Sequence, residues 1–514
     1  MSSNHTAKLF QSHAGLPLRL ILDGIIIGVF AGAFASLYRY LLEQCNHLRL
    51  LALGHNDLLH IAIYALLLLL FAWICLKLLE WAPLSGGSGI PQVEGEVLGY
   101  FQMNSGKTLS AKIIGGSLAN LSGLSLGREG PSIQIGAAVG KLSSRILKRD
   151  LSEEKYMISA GSAAGLAAAF NAPMSAVLFI LEEVHKSFSP YLFVPAMIAA
   201  MIADGTAKLI FGTNPVFHFP ERLGYDQRQL PYILIFGILV GLLGLLFNFG
   251  ILYFQKLFKN YIPSRYLGLA LTFLSSLPIA FLLPEIQGGG HGLVNRLIHH
   301  RYAIGFLALL LVAKFLFTCF SYGSGVQGGI FLPILVLGAI SGLIFASLIP
   351  SMQTNFELAA TQYMVLGMAA MMSAVVRSPL LAIMLVSEMT ASFNIMLPLC
   401  LVVFTAYILG DRLKVDGIYE SLLERMLPDE HPGVIRLLHS IDIDPYSDFA
   451  HQRLDELQLP HHCLCVSLER DGCEQTPRGS TIIRPGDHLL FLCEESAIPL
   501  LKSGSTDHSK QAPR

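Results

Sequence analysis

The residues best suited to chemistry lie in one pentapeptide, Gly127-Arg128-Glu129-Gly130-Pro131, within a chain of largely apolar segments. A carboxylate at membrane depth is costly and by default indicates a functional site. The alternative is a solvated surface loop between two helices. The pentapeptide alone favours neither interpretation, so the elements around it must distinguish them.

The composition is that of an integral membrane protein. The 514 residues are 53% hydrophobic and 14% charged, whereas soluble domains carry about 25% charged residues; the mean hydropathy is +0.56. The net charge of −1 excludes the basic surface typical of nucleic-acid-binding proteins. The 8 cysteines are scattered and predict no disulfide framework. The first apolar run is too long for a signal-peptide core and predicts a first membrane helix.

Apolar segments typical of membrane helices recur along the chain, and several are short or interrupted by Gly or Pro. Broken helices at membrane depth are tolerated where they line a protein cavity, and transporters commonly build substrate sites from them. The predicted helices are 16–42, 58–80, 107–125, 131–147, 157–170, 173–185, 190–211, 231–257, 266–283, 302–320, 332–349, 358–376, 379–391 and 395–411.

The sequence also contains an internal repeat. Three blocks recur in the same order: 86–89 as 289–292, 127–140 as 329–342 and 163–182 as 369–388, at offsets of 203, 202 and 206. The membrane part is therefore predicted to consist of two homologous halves, about 16–212 and 231–411, with a site at their interface. The predicted helices do not determine whether the halves are inverted.

Three glycine-rich stretches interrupt the membrane helices, and each ends in a proline. Glycine lets the backbone turn with its amides uncovered, and proline fits the first turn of a helix. A helix N-terminus carries free N–H groups and a partial positive charge, which attract an anion. Three of them together would hold a small anion weakly enough to release it. For a single stretch the alternative is helix packing through small residues, but three stretches, two of them related by the repeat, favour an anion site. They are Gly87-Ser88-Gly89-Ile90-Pro91, Gly127-Arg128-Glu129-Gly130-Pro131 and Gly329-Ile330-Phe331-Leu332-Pro333.

These stretches resemble the selectivity-filter signatures of the CLC family of chloride channels and proton-coupled chloride transporters. The resemblance runs from about residue 20 to Tyr419 and is most specific in segments 127–136 and 167–173. It implies an all-α polytopic membrane domain of two inverted halves with broken helices. It also implies a homodimer with one anion path in each subunit, placed in the cell (inner) membrane. Chloride and protons would be transported ligands, and neither an enzymatic activity nor a cofactor is expected.

The resemblance assigns the anion ligands residue by residue. Ser88 would offer its hydroxyl to the anion, together with the backbone amides of Ile330 and Phe331 and the hydroxyl of Tyr419. Without the resemblance, Tyr419 would be interpreted as an interfacial aromatic residue. Serine in the first stretch goes with chloride in this family, whereas proline goes with nitrate and methionine with fluoride.

Two glutamates would handle the proton. Glu129 corresponds to the gating glutamate, whose carboxylate can occupy the anion's position and leave it on protonation. Arg128 is expected to support the loop. Glu183 corresponds to the internal proton-transfer glutamate. Adjacent helical residues point about 100° apart, so its neighbour Glu182, which recurs in the repeat as Glu388, is expected to have a structural role at a helix end.

Glu94 and Lys112 correspond to a charged pair near the proton entrance; otherwise they would be a surface ion pair of little energetic value. Three places depart from the usual family pattern. The segment 326–327 reads Val-Gln instead of Ala-Pro, Leu332 stands where alanine is common, and Gln92 stands where glutamate is frequent. These departures bear on selectivity and kinetics rather than on the family.

Charged and polar residues dominate after about Leu427, so the membrane domain is predicted to cover 15–427. Residues 433–503 alternate like strands separated by turns and predict a small soluble α/β domain. They resemble the TrkA-C module of potassium-uptake regulators, which implies a dimerising cytoplasmic regulatory domain that binds a small ligand. The His-His-Cys-Leu-Cys segment at 461–465 is more typical of a strand than of a metal site. Residues 1–14 and 504–514 are predicted to be polar tails.

Three hypotheses follow. The leading one is a chloride/proton antiporter. The second is a passive chloride channel that keeps Glu129 as a gate without proton coupling. The third is a membrane sensor whose output lies in residues 433–503.

Overall fold

A computed structural model describes residues 16–53, 57–217, 219, 224, 227–349 and 356–427, and in the C-terminal part 436–443, 447, 449–457, 459, 463–470 and 473–494. The predicted tails 1–14 and 504–514 lie outside the described residues. The chain divides into two compact units between Met426 and Leu427.

The first unit is helical throughout. Its α-helices are α1 (Leu16–Ala52), α2 (Leu58–Trp81), α3 (Ile90–Leu98), α4 (Ser105–Leu121), α5 (Glu129–Ile146), α6 (Leu151–Phe170), α7 (Pro173–Phe179), α8 (Pro190–Phe211), α9 (Leu230–Tyr261), α10 (Arg265–Leu282), α11 (His291–His299), α12 (Ile304–Gly323), α13 (Phe331–Leu348), α14 (Phe356–Val376), α15 (Pro379–Thr390), α16 (Met396–Arg412) and α17 (Ile418–Glu424). Eight of the described helices are long and apolar enough to cross a membrane. The fold is thus a polytopic helical one, as the sequence predicts.

Three short helices are missing from the predicted helices: α3, α11 and α17, of nine, nine and seven residues. They are too short to give an apolar run of membrane length. Only the start of α3 was predicted, from the proline that ends the first glycine-rich stretch. The predicted helix 173–185 is also corrected. Its α-helical part ends at Phe179, and the chain continues as a π-helix over Ile180–Val184.

The two halves share their local geometry in the first repeat block, but the sequence offset of 203 is wrong there. In the structure α3 follows the 3₁₀ turn Pro83–Ser85, and α11 follows the turn Pro284–Ile286, at an offset of 201. The backbone φ values agree with this alignment: Gly87 and Gly89 have φ of 60° and 93°, and the residues 201 positions later have 65° and 100°. Runs of consecutive glycines permit either alignment in sequence, and only the left-handed conformation distinguishes them.

Glycines let the helix pairs α5–α6 and α13–α14 approach at backbone distance. A Cβ built on Gly136 would lie 2.0 Å from the carbonyl oxygen of Gly161, and one on Gly338 would lie 2.1 Å from that of Gly367. Small residues at such crossings are typical of membrane helix packing. Each half therefore fixes the helix that begins at its glycine-rich stretch in the same way.

The second unit contains a four-stranded antiparallel sheet in the order β1-β4-β2-β3. The strands are β1 (Arg436–Asp442), β2 (Leu464–Arg470), β3 (Cys473–Gln475) and β4 (His488–Glu494). Leu468, Leu489 and Phe491 lie in its core. The described residues of this unit contain no helix, so the structure shows the strand part of the predicted α/β domain.

Candidate functional site

The second and third glycine-rich stretches are hydrogen-bonded to each other. The Gly127 amide donates to the Gly329 carbonyl at 2.7 Å, and the Gly329 amide donates to the Gly127 carbonyl at 2.9 Å. This antiparallel bridge joins two residues related by the repeat. Helix α5 begins at Glu129 and helix α13 at Phe331, so the N-termini of equivalent helices from both halves meet at the bridge.

Glu129 is fully buried, which excludes the solvated surface loop. Its carboxylate lies over Gly127, where an added Cβ would come within 2.3 Å of Oε2. In the described part of the chain neither carboxylate oxygen has a well-aligned hydrogen-bond donor, although the backbone amides of Arg128, Glu129 and Leu332 lie close to the carboxylate. A carboxyl group thus lies between two helix N-termini, where a small anion would be stabilised.

Arg128 lies beside this loop rather than on the carboxylate. Its Nη2 donates to the Ala169 carbonyl at 3.3 Å, and its Nη1 lies 3.8 Å from Glu43. These contacts connect the stretch to α6 and α1, as a supporting role requires.

The first stretch is held by the buried Lys112. Its Nζ donates to the carbonyls of Ser85 at 2.9 Å and Gly87 at 2.8 Å. The expected pairing with Glu94 is therefore wrong: within the described part of the chain, the cation near Glu94 is Lys186, with Nζ 3.9 Å from Oε1. Because Lys112 is fully buried and hydrogen-bonded, the alternative of a surface pair is excluded as well.

The second half holds its equivalent loop with an equivalent lysine. Lys314, fully buried in α12, donates to the carbonyls of Ile286 at 2.9 Å and Gly288 at 2.7 Å. Lys314 is not among the site residues predicted from the sequence. The signal was present, because Ala111-Lys112 recurs as Ala313-Lys314 at the offset of 202 found for the filter stretches.

Glutamines complete the support of the first stretch. Gln92 Nε2 donates to the Gly86 carbonyl at 2.8 Å, and Gln134 Nε2 donates to the Leu84 carbonyl at 2.8 Å. The departure from the family pattern at Gln92 thus has a structural role.

Val326 and Gln327, which also depart from the family pattern, pack near the first stretch. The side chain of Gln327 fills the space above Gly115, where an added Cβ would lie 2.5 Å from its Cδ. The Val326 carbonyl accepts a hydrogen bond from the Gly87 amide at 3.2 Å. These two residues therefore pack around the first stretch and the neighbouring part of α4.

The proposed anion ligands Ser88, Ile330, Phe331 and Tyr419 are all fully buried. Within the described ranges the Tyr419 hydroxyl has no hydrogen-bond partner, and its burial excludes an interfacial aromatic residue. Tyr419 lies within electrostatic range of Glu129, Glu183 and Tyr322. A buried hydroxyl without a partner among the described residues is a candidate donor to a bound anion.

Tyr322, at the end of α12, was not recognised from sequence. Its hydroxyl reaches Ser88 and would lie 3.3 Å from a Cβ built on Gly87. A tyrosine in an apolar helix carries no spacing signal, so only the fold reveals its place beside the first stretch.

Glu183 and Glu182 have distinct environments. Glu183 is buried and accepts a hydrogen bond from the Ser378 hydroxyl. Glu182 accepts hydrogen bonds from the amides of Leu380 at 3.2 Å and Leu381 at 2.8 Å, at the start of α15. The predicted structural role of Glu182 at a helix end is therefore confirmed.

The repeat partner of Glu182 makes the reciprocal contact. Glu388 accepts hydrogen bonds from the amides of Met174 at 3.1 Å and Ser175 at 2.8 Å, at the start of α7. Each half thus caps a helix of the other half with a charge that suits a helix N-terminus.

Two separate cavities lead toward the glutamates. One of about 370 Å³ is lined by Glu183, Lys186 and Glu420, and the Lys186 ammonium lies 2.9 Å from Glu420. The buried Glu94 neighbours this cluster. The other, of about 700 Å³, is lined by Gly127 and Arg128 among others. The site is thus bounded by one cavity near Glu129 and another beside Glu183.

Comparison with known proteins gives the family. A model of the voltage gated chloride channel family matches residues 67–411. The chain belongs to this family. A model of the TrkA-C domain matches residues 438–503, so both resemblances noted in the sequence are confirmed.

Relatives within the family include bacterial exchangers. The H(+)/Cl(-) exchange transporter ClcA of Vibrio cholerae is 32% identical over 432 residues, which cover 82% of this chain and 92% of the relative. The protein of the same name from Citrobacter koseri is 30% identical, and the match covers 80% of this chain and 89% of that relative.

Solved structures agree in fold. A slow cyanobacterial Cl⁻/H⁺ antiporter superimposes with a TM-score of 0.74 at 29% identity, covering 80% of this chain and 98% of that one. A eukaryotic CLC transporter, at 22% identity and a TM-score of 0.68, shares the fold over 84% of this chain and 81% of its own.

Proposed function

We propose that the protein is a secondary transporter that exchanges chloride for protons. The observation that carries this proposal is the position of the Glu129 carboxylate over Gly127, between the N-termini of α5 and α13. An ionised carboxylate there excludes an anion by occupying its position. Protonation removes the charge, so the side chain can leave and an anion can enter. Anion and proton then compete for one place, which couples their movements.

The anion would be bound without a full positive charge. The hydroxyls of Ser88 and Tyr419 and the backbone amides of Ile330 and Phe331 supply hydrogen-bond donors, and the helix N-termini add a partial positive potential. Lys112 holds the carbonyls of the first stretch, so that those oxygens are engaged and do not repel the anion.

The proton would take a separate route through Glu183. Its buried carboxylate accepts a hydrogen bond from Ser378 and neighbours the cluster of Glu94, Lys186 and Glu420 beside the smaller cavity. Glu94 thus belongs to the proton entrance, whereas Lys112 supports the anion site. The printed names of the relatives, exchange transporter and antiporter, favour exchange over a passive channel.

The remaining assignments are part of the same proposal. A membrane domain over 15–427 would form a homodimer in the cell membrane, with one pathway in each subunit. Residues 433–503 would be a cytoplasmic TrkA-C-type domain that responds to a small ligand.

The test is the chloride reversal potential in proteoliposomes under a chloride gradient with and without a pH gradient. Exchange predicts a shift when the pH gradient is imposed. Absence of that shift, with chloride flux retained, would leave a passive channel. Absence of any anion flux, with ligand binding at residues 433–503, would favour the sensor.

Variants assign the two glutamates. Glu129→Gln and Glu183→Gln should each retain chloride flux and lose proton movement. Glu357→Gln, which alters an exposed glutamate paired with Arg301, is the matched control and should behave as wild type. Retained proton coupling in either pathway variant would remove that residue from its role.

A further inference from the structure

The larger cavity is bordered by a second loop of the filter type. Gly288, Gly289 and Gly290 line it and lead into α11, whose first residue His291 lines it too. The loop repeats the geometry of the first filter stretch, with left-handed glycines at equivalent positions and Lys314 on its carbonyls. The first turn of a helix leaves its amides without intrahelical acceptors. A glycine loop and helix start of the same kind as the first filter stretch therefore border the cavity.

Arg49 supplies an independent sign of a ligand at this loop. It lines the same cavity and is only 7% exposed. Its Nη2 donates to Asn46 at 2.6 Å, but Nε and Nη1 have no hydrogen-bond partner among the residues that the structure describes. The guanidinium lies between the two halves: Nη1 would be 2.9 Å from a Cβ on Gly123 and 3.8 Å from one on Gly288.

No carboxylate in the described part of the chain forms an ion pair with Arg49. A charged group near Arg49 is another buried cation, Lys314. The described partners of Lys314 are neutral carbonyls. Buried charges are ordinarily paired, because an unpaired one carries a large desolvation cost. The cavity lining as a whole contains four arginines and two glutamates, so it has an excess of positive charge.

We propose that this cavity holds a second anion site, formed by Arg49 and the first turn of α11, for a small monovalent inorganic anion. The site would concentrate the transported anion next to Gly127 and Arg128, which line the same cavity. This use of the site rests on the proposed function, whereas the binding itself does not.

The direct test is anomalous diffraction from crystals of the full-length protein soaked in bromide. The expected result is a bromide peak in the cavity beside Arg49 and Gly290, distinct from the peak beside Ser88 and Tyr419. A bromide peak at the filter with none in the cavity would overturn the proposal. This wild-type measurement holds whether or not any variant folds, and a cavity peak in a protein without proton exchange would refute only the proposed function.

Variants then identify the ligand. Arg49→Gln should lose the cavity peak and keep the filter peak, whereas Arg49→Lys should retain bromide because the charge remains. Arg145→Gln is the matched control, since it removes an exposed arginine that does not line this cavity. An unchanged cavity peak in Arg49→Gln would contradict the assignment.

Transport gives a second readout. Arg49→Gln should raise the half-saturating chloride concentration about tenfold, the size expected when a charge that concentrates a substrate is lost, with little change in the maximal rate. A reduced maximal rate at unchanged half-saturation would indicate a structural effect instead.

Discussion

Replacing Lys112 by methionine tests how the first filter stretch is held. The ammonium group donates hydrogen bonds to two buried carbonyls, those of Ser85 at 2.9 Å and Gly87 at 2.8 Å. Hydrogen bonds to charged groups contribute about 1.5–3 kcal/mol each, so the two together contribute about 3–6 kcal/mol before the cost of burying the charge. Methionine fills similar space but removes the donor to the Ser85 carbonyl, and it leaves the Gly87 carbonyl with the Gly328 amide, at 2.9 Å, as its remaining donor.

The lost hydrogen bonds should weaken chloride binding by displacing the backbone at Ser88. If about 1.4 kcal/mol of the lost hydrogen-bond energy is lost from chloride binding, the Kd for chloride rises tenfold. Chloride affinity can be measured by isothermal titration calorimetry in the Arg49→Gln background, which removes the second anion site proposed above. Lys314→Met is the matched control, because that lysine makes the same contacts in the second half.

Both lysine variants should lose thermal stability to a similar extent, but only Lys112→Met should bind chloride more weakly at the filter. Wild-type affinity in a destabilised Lys112→Met protein would show that the stretch keeps its shape without the lysine. An equal loss of affinity in both variants would show that the effect is global, and it would refute the local argument.

Further predictions concern packing, capping and pH. Glu182→Gln and Glu388→Gln each weaken a charged helix cap and should lower the free energy of unfolding by about 1–2 kcal/mol in thermal denaturation; clearly non-additive losses in the double variant would contradict two independent caps. Gly136→Ala should prevent accumulation of folded protein in size-exclusion chromatography, because its methyl would overlap a carbonyl at 2.0 Å. Gly106→Ala has nothing within 4 Å of the added methyl and should elute as wild type. In the C-terminal unit, burial alone would raise the pKa of Asp487. The two hydrogen bonds that Arg470 donates to its carboxylate have the larger effect and hold that pKa below its usual value. The ionised Asp487 should therefore stabilise the folded C-terminal unit above about pH 4, and this contribution should be lost as the pH falls through the folded-state pKa. Hydrogen exchange of β4 amides in the full-length protein checks this, and an Asp487→Asn variant that keeps the wild-type pH dependence would contradict it.

The repeat made part of the site predictable. Gly127 and Gly329 recur with their prolines, and a recurring backbone motif indicated that these stretches share a structural task. Glu182 recurs as Glu388, and a carboxylate kept in both halves predicted a structural role, which the reciprocal caps confirm. Glu129 has no counterpart in the second half, and its burial between two helix starts agrees with a separate task.

The predictions that failed concern contacts between segments that are distant in the sequence. Nothing in the sequence near Lys112 shows that its partners are the carbonyls of Ser85 and Gly87, because every residue has a carbonyl. Helices α3, α11 and α17 are too short for a hydropathy signal and are fixed by the halves that enclose them. The correct offset depends on which glycines adopt the left-handed conformation. A run of consecutive glycines does not show this in the sequence.

The bridge between Gly127 and Gly329 also has a consequence for biosynthesis. Its two hydrogen bonds join residues separated by 202 positions, and Glu182 meets its amide partners at a separation of 198 and 199. Contacts of such sequence separation form late, since the intervening chain must first be ordered. The ribosome must therefore deliver most of the second half before the first can close around Glu129. Until then the first half presents uncapped helix ends and an unpaired acidic group to its surroundings, which is the interval in which quality control would encounter it.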